Sequence, residues 1–73
     1  MAMRDISFSS NSGNLTAISY DDETQQLTCV FHHGGTYVYS GVPPQVADGF
    51  ASAPSAGQYL NQFVKPLYQY EKA

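Results

Sequence analysis

Basic residues are nearly absent from this 73-residue chain. Only Arg4, Lys65 and Lys72 stand against six carboxylates, which leaves a formal net charge of −3. Binding to a phosphate backbone draws most of its affinity from counterions released by clustered Lys and Arg. Three scattered cations do not supply that, so direct nucleic-acid binding is not expected. An acidic surface favours a basic protein partner instead. Cysteine is scarcer still: Cys29 is the sole one. An intrachain disulfide is therefore excluded, which fits a reducing compartment. No apolar run is long enough to span a membrane, and the opening "MAMRDISFSS" lacks the apolar stretch of a signal peptide. The expected location is the cytoplasm. Tryptophan is missing altogether, so bulky volume must come from six tyrosines and four phenylalanines.

What remains suffices for one compact unit. A hydrophobic fraction of 42% is too high for intrinsic disorder. The chain lies near the lower size at which one core suffices without disulfides or metal. No repeat or linker divides it, so residues 1–73 are expected to form a single domain. Ser9, Ser10, Asn11, Ser12 and Gly13 make residues 1–13 a candidate flexible lead-in.

From Leu15 the pattern is extended. A strand over about 14–20 leads into a polar turn built on Asp21 and Asp22, whose side chains can accept from backbone amides ahead of them. The next strand, about 26–32, alternates: Leu27, Cys29 and Phe31 share one face, while Thr28, Val30 and His32 take the other. Gly34-Gly35 permits the positive φ of a tight hairpin. A third strand, about 36–40, puts Tyr37 and Tyr39 on one face. Val42-Pro43-Pro44 ends it, and Pro44 suits the first turn of a helix over about 44–52. Ser55 is a candidate N-cap for a second helix, 56–64, with an apolar stripe of Ala56, Tyr59, Leu60, Phe63 and Val64. Lys65-Pro66 ends that helix, and "LYQYEKA" reads as an extended tail. The expected fold class is α+β: a three-stranded antiparallel meander followed by two short helices that cover one face of the sheet. Phe31, Tyr39, Phe50 and Phe63 are expected in one core cluster.

Four groups of residues could carry chemistry. Exposed, Tyr37 and Tyr39 would stack on the bases of single-stranded RNA. Buried, they would fill a core that has no tryptophan and keep their hydroxyls near its rim. The strands contain no Lys or Arg, so packing is the expectation and RNA binding the alternative. His32 and His33 are adjacent on an extended backbone and point to opposite faces, which prevents chelation of one metal ion. Cys29 sits in an alternating apolar strand, the setting of a buried thiol and not of a nucleophile. Asp21, Asp22 and Glu23 form a solvated hairpin tip that could also face an Arg- or Lys-rich protein partner. The alternating ligands and glycine of a calcium loop are absent there. No metal, cofactor or catalytic constellation emerges. The expectation is a monomeric, non-enzymatic interaction domain.

The motifs Tyr20-Asp21, Gly34 to Tyr39, Val42-Pro43 and Ala53 to Tyr59, in this order and spacing, resemble those of the KTSC domain family. The likeness covers roughly residues 9–70. That family occurs at the C-terminus of some lysyl-tRNA synthetases, an association that implies an RNA-linked role and transfers no catalytic residue. Length, acidity and stand-alone form further resemble small transcription regulators of bacteriophages. This second resemblance implies docking on a basic surface of a host bacterial RNA polymerase core subunit, in the host cytoplasm. It implies inhibited initiation and antitermination.

Overall fold

The computed structural model describes residues 3–8 and 14–73. Five strands form one antiparallel meander in chain order: β1 (Met3–Asp5), β2 (Leu15–Asp21), β3 (Gln26–Phe31), β4 (Gly35–Tyr39) and β5 (Tyr70–Lys72). Two helical segments lie between β4 and β5. These are α1 (Pro44–Ser52) and α2 (Ala56–Tyr59), the latter running directly into a π-helical turn, Leu60–Val64. The α+β class and the three central strands agree with the sequence, whereas the three-strand description is incomplete. Both edges of the sheet are strands of three residues each, too short to show a period of their own.

Local chemistry accounts for the central elements. At the β2–β3 turn the Asp21 carboxylate accepts from the amides of Glu23 and Thr24, at 2.9 and 3.4 Å. The Gln25 amide donates to the Asp21 carbonyl at 2.8 Å, with Gln25 at φ 58°. Gly34 and Gly35 take φ of 124° and 86°, which reverses the chain within the β3–β4 hairpin at no Cβ cost. Pro44 opens α1 as expected. Ser55 Oγ accepts from the Gln58 amide at 3.4 Å, the predicted cap.

One face of the sheet carries the core. Ile18, Tyr20, Leu27, Cys29 and Tyr39 are buried against Ala47 and Phe50 of α1 and against Ala56, Leu60 and Val64. The residues of β1 join this unit. The Ile6 amide donates to the Ile18 carbonyl at 2.9 Å, Ile6 is buried, and Phe8 packs against the core. Residues 3–8 thus join the sheet and core, because β2 offers them an unpaired edge. Residues 9–13 lie outside the described residues.

The expected cluster of phenylalanines needs a correction. Phe50 and Tyr39 are core residues and Phe31 is half-buried, but Phe63 is 51% exposed. The cause is the π turn, in which the Lys65 amide reaches back five residues to the Leu60 carbonyl at 2.8 Å. The wider turn keeps Leu60 and Val64 inward and lays Phe63 across Tyr59, at 5.1 Å between ring centroids. Tyr59 takes the place foreseen for Phe63. Its ring meets Phe50 at 4.6 Å and its hydroxyl donates to the Val46 carbonyl at 2.9 Å. Gly49 makes this close approach possible, since a Cβ there would stand 2.1 Å from the Tyr59 oxygen.

Candidate ligand groove

The two ends of the sheet treat their polar residues in opposite ways. At the β1–β2 end, Arg4 is engaged. Its Nε donates to Asp22 at 2.9 Å, its terminal nitrogen reaches Asp48 of α1 at 2.9 Å, and the guanidinium lies 5.4 Å from the centroid of the Tyr20 ring. The hydrogen bonds that Arg4 donates to the Asp22 and Asp48 carboxylates hold it above its ordinary pKa. The Tyr20 hydroxyl donates to the Val42 carbonyl inside the core. Of the three tip carboxylates proposed as partner contacts, Asp21 is 5% exposed and occupied with the turn amides. It serves the hairpin's own turn. Asp22 and Glu23 are exposed, with Asp22 already paired to Arg4.

At the β3–β4–β5 end an aromatic wall stands beside open space. Register pairs Tyr39 with Tyr70 and Tyr37 with Lys72, so all four side chains lie on the core face. Phe31 meets Tyr37 edge-on at 5.7 Å, and Tyr70 contacts Tyr37 at 5.2 Å and Tyr39 at 5.4 Å. Lys72 Nζ lies 6.0 Å from the centroid of Tyr37. A groove of about 280 Å³ runs along this wall, lined by Phe31, Tyr37, Tyr39 and Tyr70 and flanked by Lys65, His33 and Asn14. The Asn14 side chain closes a reciprocal pair with the His33 backbone, donating to its carbonyl at 2.7 Å and accepting from its amide at 2.9 Å. That clamp holds the groove's rim in place.

The two predicted tyrosines therefore divide the work. Tyr39 is 1% exposed and serves as core and groove floor, whereas Tyr37 is half-buried and presents its ring to the groove. Sequence reasoning missed Tyr70, Lys65 and Lys72 as their neighbours. The signal was the i, i+2 spacing in "YQYEK": paired as a strand beside residues 36–40, it brings Tyr70 and Lys72 to the side of Tyr37. Burial pushes the Cys29 thiol up to about 12, offset in part by Lys65, so the thiol stays protonated at neutral pH. Burial likewise raises Tyr39 to about 12. His32 and His33 sit exposed at the β3–β4 turn with ring centroids 6.2 Å apart. Among the described residues no three His, Cys, Asp or Glu side chains are grouped to hold a metal ion. No helix among them is long and apolar enough to cross a membrane.

Comparison with known proteins agrees with this architecture. The family model of the KTSC domain matches residues 11–70. A lysine–tRNA ligase of Nostoc punctiforme is 43% identical over 54 residues, 74% of this chain and 10% of that protein. The chain thus spans about a tenth of the length of the curated ligases it matches. A small protein of Tsukamurella paurometabola is 40% identical over 58 residues, 80% of this chain and 87% of the relative. The crystal structure of a KTSC domain protein from Yersinia pestis superposes with a TM-score of 0.86 at 32% identity, covering 99% of both chains. The likeness to phage transcription regulators gains no support from these relatives. The matched motifs, the five-stranded meander and the shared fold make this chain a member of the KTSC domain family.

Proposed function

We propose that the domain is a non-enzymatic accessory module that binds single-stranded RNA in the aromatic groove. One observation carries this reading. Lys65 lines the groove together with Tyr37 and Lys72 lies over the Tyr37 ring, both far from it in sequence, whereas the third cation, Arg4, is engaged by Asp22 and Asp48. A chain with net charge −3 thus has a locally cationic, aromatic surface. Stacking on an exposed aromatic contributes about 1–3 kcal/mol per base, and two lysines can neutralise about two phosphates. Such a site binds weakly alone. Tethered to a larger protein it adds affinity through effective concentration, and its occurrence as a small part of lysine–tRNA ligases favours that use.

A titration with short single-stranded RNA at several salt concentrations tests the reading. Saturable binding is expected at low salt, with log affinity falling against log salt at a slope of about −1.4 for two phosphate contacts. Tyr37→Ala should weaken it by about 10-fold or more, the loss of one stacked base. An absence of saturation at low salt rejects the site.

The exposure of Asp22 and Glu23 favours a second reading, a basic protein partner at the hairpin tip. Docking on a bacterial RNA polymerase subunit, with inhibition of initiation and antitermination, is the specific form of it. The polymerase rests on the resemblance to phage regulators alone. Engagement of Asp21 and Asp22 within the fold leaves this reading less surface charge to work with.

A further inference from the structure

The tyrosines of this molecule differ in what their hydroxyls do. Tyr20 and Tyr59 each donate to a backbone carbonyl, of Val42 and Val46 respectively. Tyr39 is buried as deeply as Tyr20, at 1% exposure against 0%, yet its hydroxyl makes no hydrogen bond among the described residues. No fully buried side-chain oxygen or nitrogen among them lacks a partner. The Tyr39 hydroxyl is therefore the tip of an otherwise enclosed ring that still meets solvent, and the space beside Tyr39 is the groove. A polar atom at the floor of an aromatic slot, unclaimed by the fold, is the usual means by which a largely apolar pocket selects its ligand.

We propose that Tyr39 is the specificity-determining residue of the groove. One planar heteroaromatic base stacks on the Tyr37 ring, beside which Phe31 and Tyr70 stand edge-on, and turns its polar edge to the Tyr39 hydroxyl. This rests on the RNA reading above and adds to it a preference among bases. The size of the groove, about 280 Å³, is at the lower end of ligand sites and suits one ring system with its sugar and not a stacked run. Stacking itself is indifferent to base identity, because every base has a π-face. A hydroxyl fixed at one point of the floor is not indifferent, because the bases carry their donors and acceptors at different positions along their edges. A base that offers it no partner leaves a poorly hydrated polar group unpaired, and the wrong ligand is rejected on that ground. Lys65 and Lys72 flank the wall and remain available to the phosphates on either side of the bound base.

The test is an NMR titration of the full chain with the trinucleotides of A, C and U, using wild type, Tyr37→Ala and Tyr39→Phe. Tyr37→Ala is expected to weaken all three alike. Tyr39→Phe is expected to weaken the preferred trinucleotide about 3- to 10-fold, the effect of one neutral hydrogen bond, and to draw the three affinities together. A native-like Tyr39→Phe protein with unchanged affinities and unchanged preference overturns the proposal while leaving the RNA reading intact. Failure of every trinucleotide to bind wild type overturns both. Should Tyr39→Phe lose the native spectrum, the wild-type titration decides. Equal affinity for the three bases refutes the proposal, and a preference whose ligand perturbs the Tyr39 ring signals upholds it.

Discussion

The β1–β2 end and the β4–β5 end of this sheet are built from similar materials and put to different use. Each has a tyrosine deep in the core, an aromatic–cation contact and short edge strands. At the first end every one of these is satisfied internally: Tyr20 holds Val42, and Arg4 joins a hairpin tip to a helix. At the second end the corresponding groups face open space, with Tyr70 55% exposed and Lys72 set above Tyr37. The difference teaches that bulk charge does not say which of a small domain's cations the fold holds in ion pairs. A net negative chain can still segregate its cations, and what matters is which of them the fold leaves uncommitted.

Both ends share one core, so the largest effect comes from removing it. Phe50→Ala should cost about 3–5 kcal/mol, a large part of the stability of a chain this size, and leave the protein mostly unfolded in a denaturant melt. Phe63→Ala, on the exposed side of the π turn, should stay close to wild type. Equal losses in the two variants would mean that the helical register is misassigned.

A smaller effect separates the ends themselves. Tyr20→Phe leaves the buried Val42 carbonyl without its donor and should cost about 1–3 kcal/mol. Tyr39→Phe removes a hydroxyl that holds nothing in the fold and should be close to neutral in the same melts. A loss at Tyr39 as large as that at Tyr20 would show that its hydroxyl is a structural group after all.

The smallest effect is expected at Arg4. Its two ion pairs are exposed, and exposed pairs contribute little. Arg4→Gln should shift the melting midpoint less than Tyr20→Phe does, and the shift should shrink in 1 M salt, where screening acts within about 3 Å. A large, salt-independent loss would instead reveal packing of the arginine stem on Tyr20 as the main contribution.

Much of the scaffold was legible because it is specified locally. Leu27, Cys29 and Phe31 alternate, Gly34-Gly35 carry the turn, Pro44 opens one helix and Ser55 caps the other, and each acts within a few residues of itself. The edge strands were not legible, because Met3–Asp5 and Tyr70–Lys72 become strands only where β2 and β4 present unpaired backbone to them. The groove shared that fate, since Tyr70 reaches it from the tail. Phe63 was misplaced by an assumed 3.6-residue period that the π turn breaks. The turn role of Asp21 was legible in the sequence, whereas its burial was not, because that depends on how the hairpin packs on the core.

Backbone and tyrosine-ring chemical shifts, followed during addition of a short single-stranded RNA at low salt, compare the two ends in a single experiment. Shifts concentrated on Phe31, Tyr37, Tyr39, Tyr70, Lys65 and Lys72, with Arg4, Asp22 and Asp48 unmoved, are the expected result. Shifts at the Arg4 end with a silent groove, or none at either end, would contradict the assignment of the open end as the binding surface.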